Sequence, residues 1–194
     1  MSSRADSLTG DLTTAERVEL LRLARSSLES AVQGLKRPPG PTGMPSLEEH
    51  RGAFVTLTSG GELRGCIGFI RGSKPVWQAV SQMAVQAGLH DPRFRPVSTD
   101  ELESLRYEIS VLTPLEKVAD VSAIQVGRHG LMIVMGFHSG LLLPQVASEY
   151  GWDRETFLDQ TCLKAGLSAG SWRQGVDIYS FSAQVFSEAS EGLR

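Results

Sequence analysis

The sequence predicts an α+β protein whose sheet is mostly antiparallel. Two observations lead to this class. Strand-like runs are joined by short glycine-containing turns, as in the hairpins of antiparallel sheets, and each hairpin is followed by a helical pattern. The order of hairpin and then helix occurs at 52–89 and again at 130–165, which suggests an internal duplication without a repeat of individual residues.

The first helix is predicted over 14 to about 33. Thr13 and Glu16 fit a capping box, in which the hydroxyl and the carboxylate bind the first free amides. Apolar residues then recur at three- and four-residue spacing, and Gly34 is expected to end the helix. Strand-like runs follow at 52–58 and 63–70 around a glycine turn.

A second helix is predicted over 75–89, with Pro75 in its first turn and Ser73 or Lys74 as the cap. It has no charged residue between Val76 and Leu89. A helix without charge on any side is expected to be buried or covered by a partner.

The second half of the chain repeats this alternation of strands and helices. The predicted elements are a strand at 106–112, a hairpin at 130–135 and 140–143, a helix from Pro144 to about Tyr150, a helix capped by Asp153 that ends at Gly166, and a closing strand at 178–186.

The composition is that of an ordinary globular protein. The chain has 194 residues, of which 41% are hydrophobic and 21% charged, enough to bury a sizeable core in one domain or in two lobes. The formal net charge of −3 gives no electrostatic reason to expect nucleic-acid binding. No apolar run approaches the roughly 18 residues of a membrane span, and the N-terminus lacks a signal-peptide core.

The cysteines and histidines do not follow the spacing of a metal site. Cys66 and Cys162 lie far apart and the four histidines are scattered. We therefore expect reduced thiols, a cytoplasmic protein and no cofactor. Cys162 has Phe157 and Leu158 nearby and is expected to lie in the core.

The most informative segment is the strand that contains Cys66. Gly65 and Gly68 flank the thiol, and glycine inside a strand marks a bulge or a close approach by backbone or ligand. Arg64 precedes Gly65, and the stretch 63–97 holds five basic residues but only one acid, Asp91. Nearby positive charge favours a thiolate. This pattern predicts a pocket for an anionic small molecule or a carboxylate, with Cys66 at its wall.

The residues themselves leave other roles open for Cys66. A free cysteine is often a small buried hydrophobe, and the basic residues could form a solvated face. A catalytic thiol needs a base within hydrogen-bond reach. His90 and His129 are the candidates, although no sequence feature brings either to Cys66. Glu108 is expected on the strand face opposite its neighbours and could face a pocket or solvent.

Residues 63–68, Leu-Arg-Gly-Cys-Ile-Gly, resemble the signature of the AMMECR family. Four further elements resemble the family's motifs in the same order, and the resemblance runs from about Glu16 to Ser187. They are His90-Asp91-Pro92-Arg93-Phe94, Ile109-Ser110-Val111-Leu112-Thr113-Pro114, Gly127-Arg128-His129-Gly130 and Leu142-Leu143-Pro144-Gln145-Val146-Ala147.

This resemblance implies two β-β-β-α-α repeats that form one barrel-like sheet, in a family without an established biochemical activity. It implies an AMMECR-type domain at 13–187, with two lobes as an alternative, between a flexible segment at 1–12 and a tail at 188–194. The family signature implies Arg64, Gly65, Cys66 and Gly68 as site residues. Asp91, Arg93 and Phe94 are implied as their partners.

The resemblance also implies partners. Prokaryotic members look like component A of the AmmeMemoRadiSam system, which includes a Memo-like protein and a radical S-adenosylmethionine enzyme. This chain has no three-cysteine cluster for an iron–sulfur centre, so radical chemistry would belong to the radical S-adenosylmethionine partner.

Two hypotheses about function follow. Either the chain is an enzyme component that uses Cys66, or it is a binding or adaptor module in which Cys66 only packs.

Overall fold

The computed structural model describes residues 11–193, which form two compact units. Within the described residues, unit 1 contains 11–112 and 184–193, and unit 2 is Thr113–Ala183. Most of the segment predicted to be flexible, residues 1–10, lies outside the described residues. Leu12 and Glu188, at the inner ends of the predicted terminal segments, are both buried. Both therefore contribute to the folded part of unit 1.

Four α-helices and eight strands lie within residues 11–193. In chain order they are α1 (Thr14–Val32), β1 (Ala53–Ser59), β2 (Glu62–Phe69), α2 (Val76–Leu89), β3 (Leu105–Leu112), β4 (Glu116–Lys117), β5 (Gly130–Met135), β6 (His138–Leu142), α3 (Pro144–Glu149), α4 (Arg154–Lys164), β7 (Asp177–Phe181) and β8 (Ala183–Ser187).

The strands form two four-stranded sheets, with the orders β2-β1-β3-β8 and β4-β7-β5-β6. The α+β class and the antiparallel pairing of the hairpins are confirmed. Within the described part of the chain the strands are divided between two sheets and no closed barrel forms.

The predicted duplication is visible in the topology. In each sheet the first hairpin strand, β1 or β5, lies between its hairpin partner and a strand that returns after a helix, β3 or β7. Both units therefore repeat the order of hairpin, helix and returning strand.

Helix α1 begins at the predicted capping box, where Thr13 and Glu16 bind each other's backbone amides. It ends one residue before the Gln33 cap, and Gly34 follows with a φ of 69°. At this φ a residue with a Cβ is strained, so glycine suits the chain reversal.

Helix α2 packs within unit 1, and eight of its 14 residues are buried. It packs against α1 on one side and against β1 and β2 on the other. This explains its lack of charge without an external partner. The prediction that Ser73 or Lys74 caps it is wrong, because Pro75 occupies the cap position and no side chain caps the helix. Pro75 was predicted in the first turn and lies one residue before the helix.

The predicted closing strand at 178–186 is two strands that belong to different sheets. The break is at Ser182, whose backbone pairs with Thr113. The Thr113 amide donates to the Ser182 carbonyl at 2.9 Å, and the Ser182 amide donates to the Thr113 hydroxyl at 2.8 Å. These bonds replace ladder pairing at Ser182.

None of the helices among residues 11–193 is long and apolar enough to span a lipid bilayer.

Candidate functional site

The candidate site is built on β2, which is an edge strand of the unit 1 sheet. Cys66 pairs in register with Thr56 on β1, and Thr56 pairs with Glu108 on β3. Residues paired in this way point to the same face of a sheet. A thiol, a hydroxyl and a carboxylate therefore form one row across three strands, which we call the Cys66 row.

The Cys66 row lies on the face opposite α2. The neighbours of Cys66 identify the two faces, since alternate residues of a strand point to opposite sides. Gly65 faces the backbone of Ala87 on α2, and Ile67 and Phe69 pack on the core of unit 1. Cys66 must then point away from the core.

The Cys66 thiol is half-buried and not in a disulfide. The Thr56 hydroxyl donates a hydrogen bond to Sγ at 3.3 Å. A donor at this position stabilises negative charge that develops on the sulfur. The sulfur is therefore partly accessible and has a side-chain hydrogen-bond partner.

The backbone of Cys66 is held by two side chains from the loop after α2. Its amide donates to Asp91 Oδ2 at 2.9 Å, and its carbonyl accepts from Arg93 Nη2 at 3.1 Å. We call this pair the Asp91–Arg93 clip. An edge strand leaves such groups without a strand partner, and the clip supplies the missing donor and acceptor at Cys66.

The two members of the clip also neutralise each other. Arg93 donates from Nε and Nη2 to the two carboxylate oxygens of Asp91, at 2.9 and 2.7 Å. The Asp91 carboxylate is buried. The bonds from Arg93, together with the Cys66 amide, hold the pKa of Asp91 well below its usual range.

The second arginine of the predicted pocket is also paired. Arg64 donates from Nε and Nη2 to Glu101, at 2.8 and 3.1 Å. These bonds, together with those from the amide and hydroxyl of Ser98, lower the pKa of Glu101 to about 2. The Phe94 ring lies within cation–π distance of both guanidinium groups, 6.0 Å from that of Arg64 and 5.5 Å from that of Arg93.

The charges of the two arginines beside Cys66, Arg64 and Arg93, are thus each compensated by a carboxylate. Glu101 lies outside the basic stretch 63–97 along the chain, and folding brings its carboxylate onto Arg64. Both arginines keep hydrogen-bonding capacity beyond these ion pairs. Among residues 11–193, Arg64 Nη1 is buried without a hydrogen-bond partner, and Arg93 keeps 53% of its side-chain surface exposed.

We expect Arg64→Gln to raise the pKa of Glu101 from about 2 toward the ordinary value near 4.3. The ion pair of Arg64 and Glu101 stabilises the fold fully at pH values above the pKa of Glu101 in the unfolded chain. This stabilisation disappears as the pH falls through the folded-state pKa of Glu101, about 2. The ¹³C shift of the Glu101 carboxyl group, followed against pH, measures the change. Arg71→Gln is the control, because Arg71 is exposed and the substitution should leave the Glu101 titration unchanged. An unchanged curve in Arg64→Gln would contradict the assignment.

Both glycines of the signature are required by packing inside unit 1. A Cβ at Gly65 would lie 2.9 Å from the carbonyl carbon of Ala87 and closer still to its oxygen. A Cβ at Gly68 would lie 2.5 Å from the carbonyl oxygen of Ala53 and would overlap the Phe54 ring. The close approach predicted at these positions is thus made by the protein's own atoms.

The structure does not pair either candidate histidine with Cys66. His90 is the C-cap of α2 and is exposed, and within residues 11–193 its side chain forms no hydrogen bond. His129 belongs to unit 2, where its Nδ1 accepts a hydrogen bond from the Gln125 amide at 3.2 Å. No three His, Cys, Asp or Glu side chains of the described chain are grouped as a metal ion would require.

Two residues near Cys66, Thr56 and Glu101, were not predicted from the sequence. Thr56 could have been found from the hairpin, because a turn at 59–62 aligns it with Cys66 to within one residue. Glu101 carried no such signal, since its contact with Arg64 depends on how the loop after α2 folds back. Cys162 is fully buried, as predicted.

Comparisons with known proteins extend over most of the chain. A model of the AMMECR1 family matches residues 21–186. A protein of Methanosarcina acetivorans is 43% identical over 187 residues, which cover 91% of this chain and 94% of that protein. A protein of Methanothermobacter thermautotrophicus is 44% identical and covers 87% of this chain and 92% of its own length. The crystal structure of the uncharacterised protein PH0010 from Pyrococcus horikoshii has a TM-score of 0.78 and 41% identity, and the match covers 87% of this chain and 89% of that one.

Proposed function

The chain belongs to the AMMECR1 family, and we propose that it is a component of a small-molecule enzymatic system in which Cys66 is the reacting or substrate-holding group. The observation that carries this proposal is the half-buried Cys66 thiol, whose sulfur accepts a hydrogen bond from Thr56. The Asp91–Arg93 clip supports it by holding the Cys66 backbone in one position. Such a thiol is preorganised for chemistry.

We propose an anionic group as the part of the ligand that binds beside Cys66. Because Arg64 and Arg93 each use two donors on a carboxylate, the ligand would meet the exposed side of Arg93. The Arg93 guanidinium remains charged in its pair with Asp91, since that pair raises the pKa of Arg93. In this proposal Gly65, Gly68 and Asp91 shape the site and do not contact the ligand.

The proposal includes the partners and location that the family resemblance implies. A Memo-like protein and a radical S-adenosylmethionine enzyme, as in the AmmeMemoRadiSam system, would carry out the other steps in the cytoplasm. Both cysteines of this chain are free thiols, which is compatible with a reducing compartment.

A non-catalytic adaptor is the alternative, and one observation favours it. Gly65 and Gly68 are explained by internal packing, so the family signature could preserve the shape of β2 instead of a reaction. In that case the edge of β2 would be the recognition surface, and the sulfur itself would be dispensable.

Complementation with Cys66→Ser separates the two functions. In a cell that encodes all three components, deletion of this gene and deletion of the Memo-like partner should change the same set of metabolites, as measured by untargeted mass spectrometry. Wild type should restore the pattern and Cys66→Ser should not, because serine keeps the shape but lacks a nucleophilic sulfur.

Two controls make this result interpretable. Leu63→Ser changes an exposed side chain of the same strand and should restore the pattern fully. The thermal midpoint of purified Cys66→Ser should stay close to that of wild type. Full restoration by a folded Cys66→Ser protein would favour the adaptor, and unrelated metabolite patterns in the two deletions would contradict the proposed partnership.

A further inference from the structure

Unit 2 contains a cavity of about 340 Å³ that the proposed function does not use. Its volume is within the range of small-molecule sites. Its apolar lining residues are Val118, Ala119, Ala123 and Ile124. Glu116, Lys117, Asp120, His129 and Ser180 supply the polar groups. Every lining residue belongs to unit 2.

His129 offers one defined polar group to this cavity. Its Nδ1 accepts the Gln125 amide proton at 3.2 Å, so the proton of the neutral ring is on Nε2. Burial first, and then the charge of Arg128, lower the pKa of His129, while Glu116 opposes this shift. The ring is therefore neutral at pH 7, and Nε2–H is its available donor.

The charged side chains that line the cavity differ in whether another group of the protein pairs with them. Lys117 Nζ is paired with Asp177 at 2.7 Å, so its charge is balanced by a residue outside the lining. Both oxygens of Asp120 accept hydrogen bonds from Ser122, at 2.8 and 2.5 Å. Glu116 forms no ion pair within residues 11–193, and its pairing with Ser180 places it on the strand that borders the cavity.

From this arrangement we propose that the cavity binds a small organic amine with an apolar body. The ammonium group pairs with Glu116, the body contacts Val118 and the other apolar lining residues, and an acceptor atom of the ligand receives the Nε2–H of His129. This site requires nothing from Cys66, so it does not rest on the proposed function.

Titration with 2-phenoxyethylamine, followed by ¹H–¹⁵N NMR, tests the proposal. This probe has an ammonium group, an ether acceptor and an aromatic body. We expect saturable shifts at Ile124 and Ser180 and at the side-chain Nε2 of His129. Glu116→Gln should weaken binding about threefold, the effect of one exposed charge pair. Glu149→Gln, a change of an exposed glutamate outside the cavity, should bind like wild type, and so should Cys66→Ser.

The neutral analogue 2-phenoxyethanol distinguishes an amine site from an apolar one. It has nearly the same shape and lacks only the charge. Equal binding of the two probes, or an amine titration that is the same in Glu116→Gln and wild type, would overturn the proposal. The absence of saturable shifts at these residues up to about 10 mM amine would overturn it as well.

Discussion

Replacing Gly65 with alanine should destabilise unit 1 by about 3 kcal/mol, the upper part of the range for an overpacked core. The added Cβ would overlap the Ala87 carbonyl group, which is backbone of a helix and cannot turn aside as a flexible side chain does. Either α2 moves away from β2, or β2 shifts and loses its contact with the Asp91–Arg93 clip. The free energy of unfolding from urea titration measures the effect.

Two further glycine variants test the explanation. Gly60 has a φ of 59° in the hairpin turn and no atom within 4 Å of a built Cβ, so Gly60→Ala should cost only the strain of that conformation, about 1 kcal/mol. A Cβ at Gly140, on the second hairpin strand of unit 2, would lie 2.6 Å from the Cα of Ala165. Gly140→Ala should therefore resemble Gly65→Ala. Equal, small losses in all three variants would contradict the packing argument.

Asp91→Asn is the second large effect that we expect, with a loss of about 2–3 kcal/mol at pH 7. The amide that replaces the carboxylate can accept from only one side, while its NH₂ group faces the donors of Arg93 or Cys66. A hydrogen bond to a charged group is lost, and the edge of β2 at Cys66 is no longer held. Urea unfolding gives the stability, and amide hydrogen exchange at Cys66 reports the local opening.

The pH dependence of this loss identifies the carboxylate as its cause. The folded pKa of Asp91 is well below the unfolded value, so its stabilisation is fully present above about pH 4 and declines as pH falls further. The difference between wild type and Asp91→Asn should therefore narrow below pH 4. Glu62→Gln, at an exposed position of the same strand, should show no such loss at pH 7. A loss in Asp91→Asn that does not vary with pH would argue against an ionic role.

Local patterns were sufficient to predict most elements. The capping box of Thr13 and Glu16, the end of α1 near Gly34 and the start of α4 after Asp153 depend on contacts within a few residues. The uncharged helix over 76–89 was predicted to be buried or covered by a partner, and most of its residues are buried within unit 1. The split of the last strand was missed because alternation continues through Ser182, and only its bonds to Thr113 separate β7 from β8.

The segment around Cys66 combines both kinds of information. The order of residues along the chain was enough to identify the family signature, the strand that contains it and the duplicated hairpin–helix order. Which groups surround the thiol depended on folding. Glu101 reaches Arg64 and Asp91 reaches the Cys66 amide because of the path of a loop that no periodic pattern describes. Close approach and charge compensation are contacts between residues distant in sequence. Their energies therefore depend on distances that the order of residues does not contain.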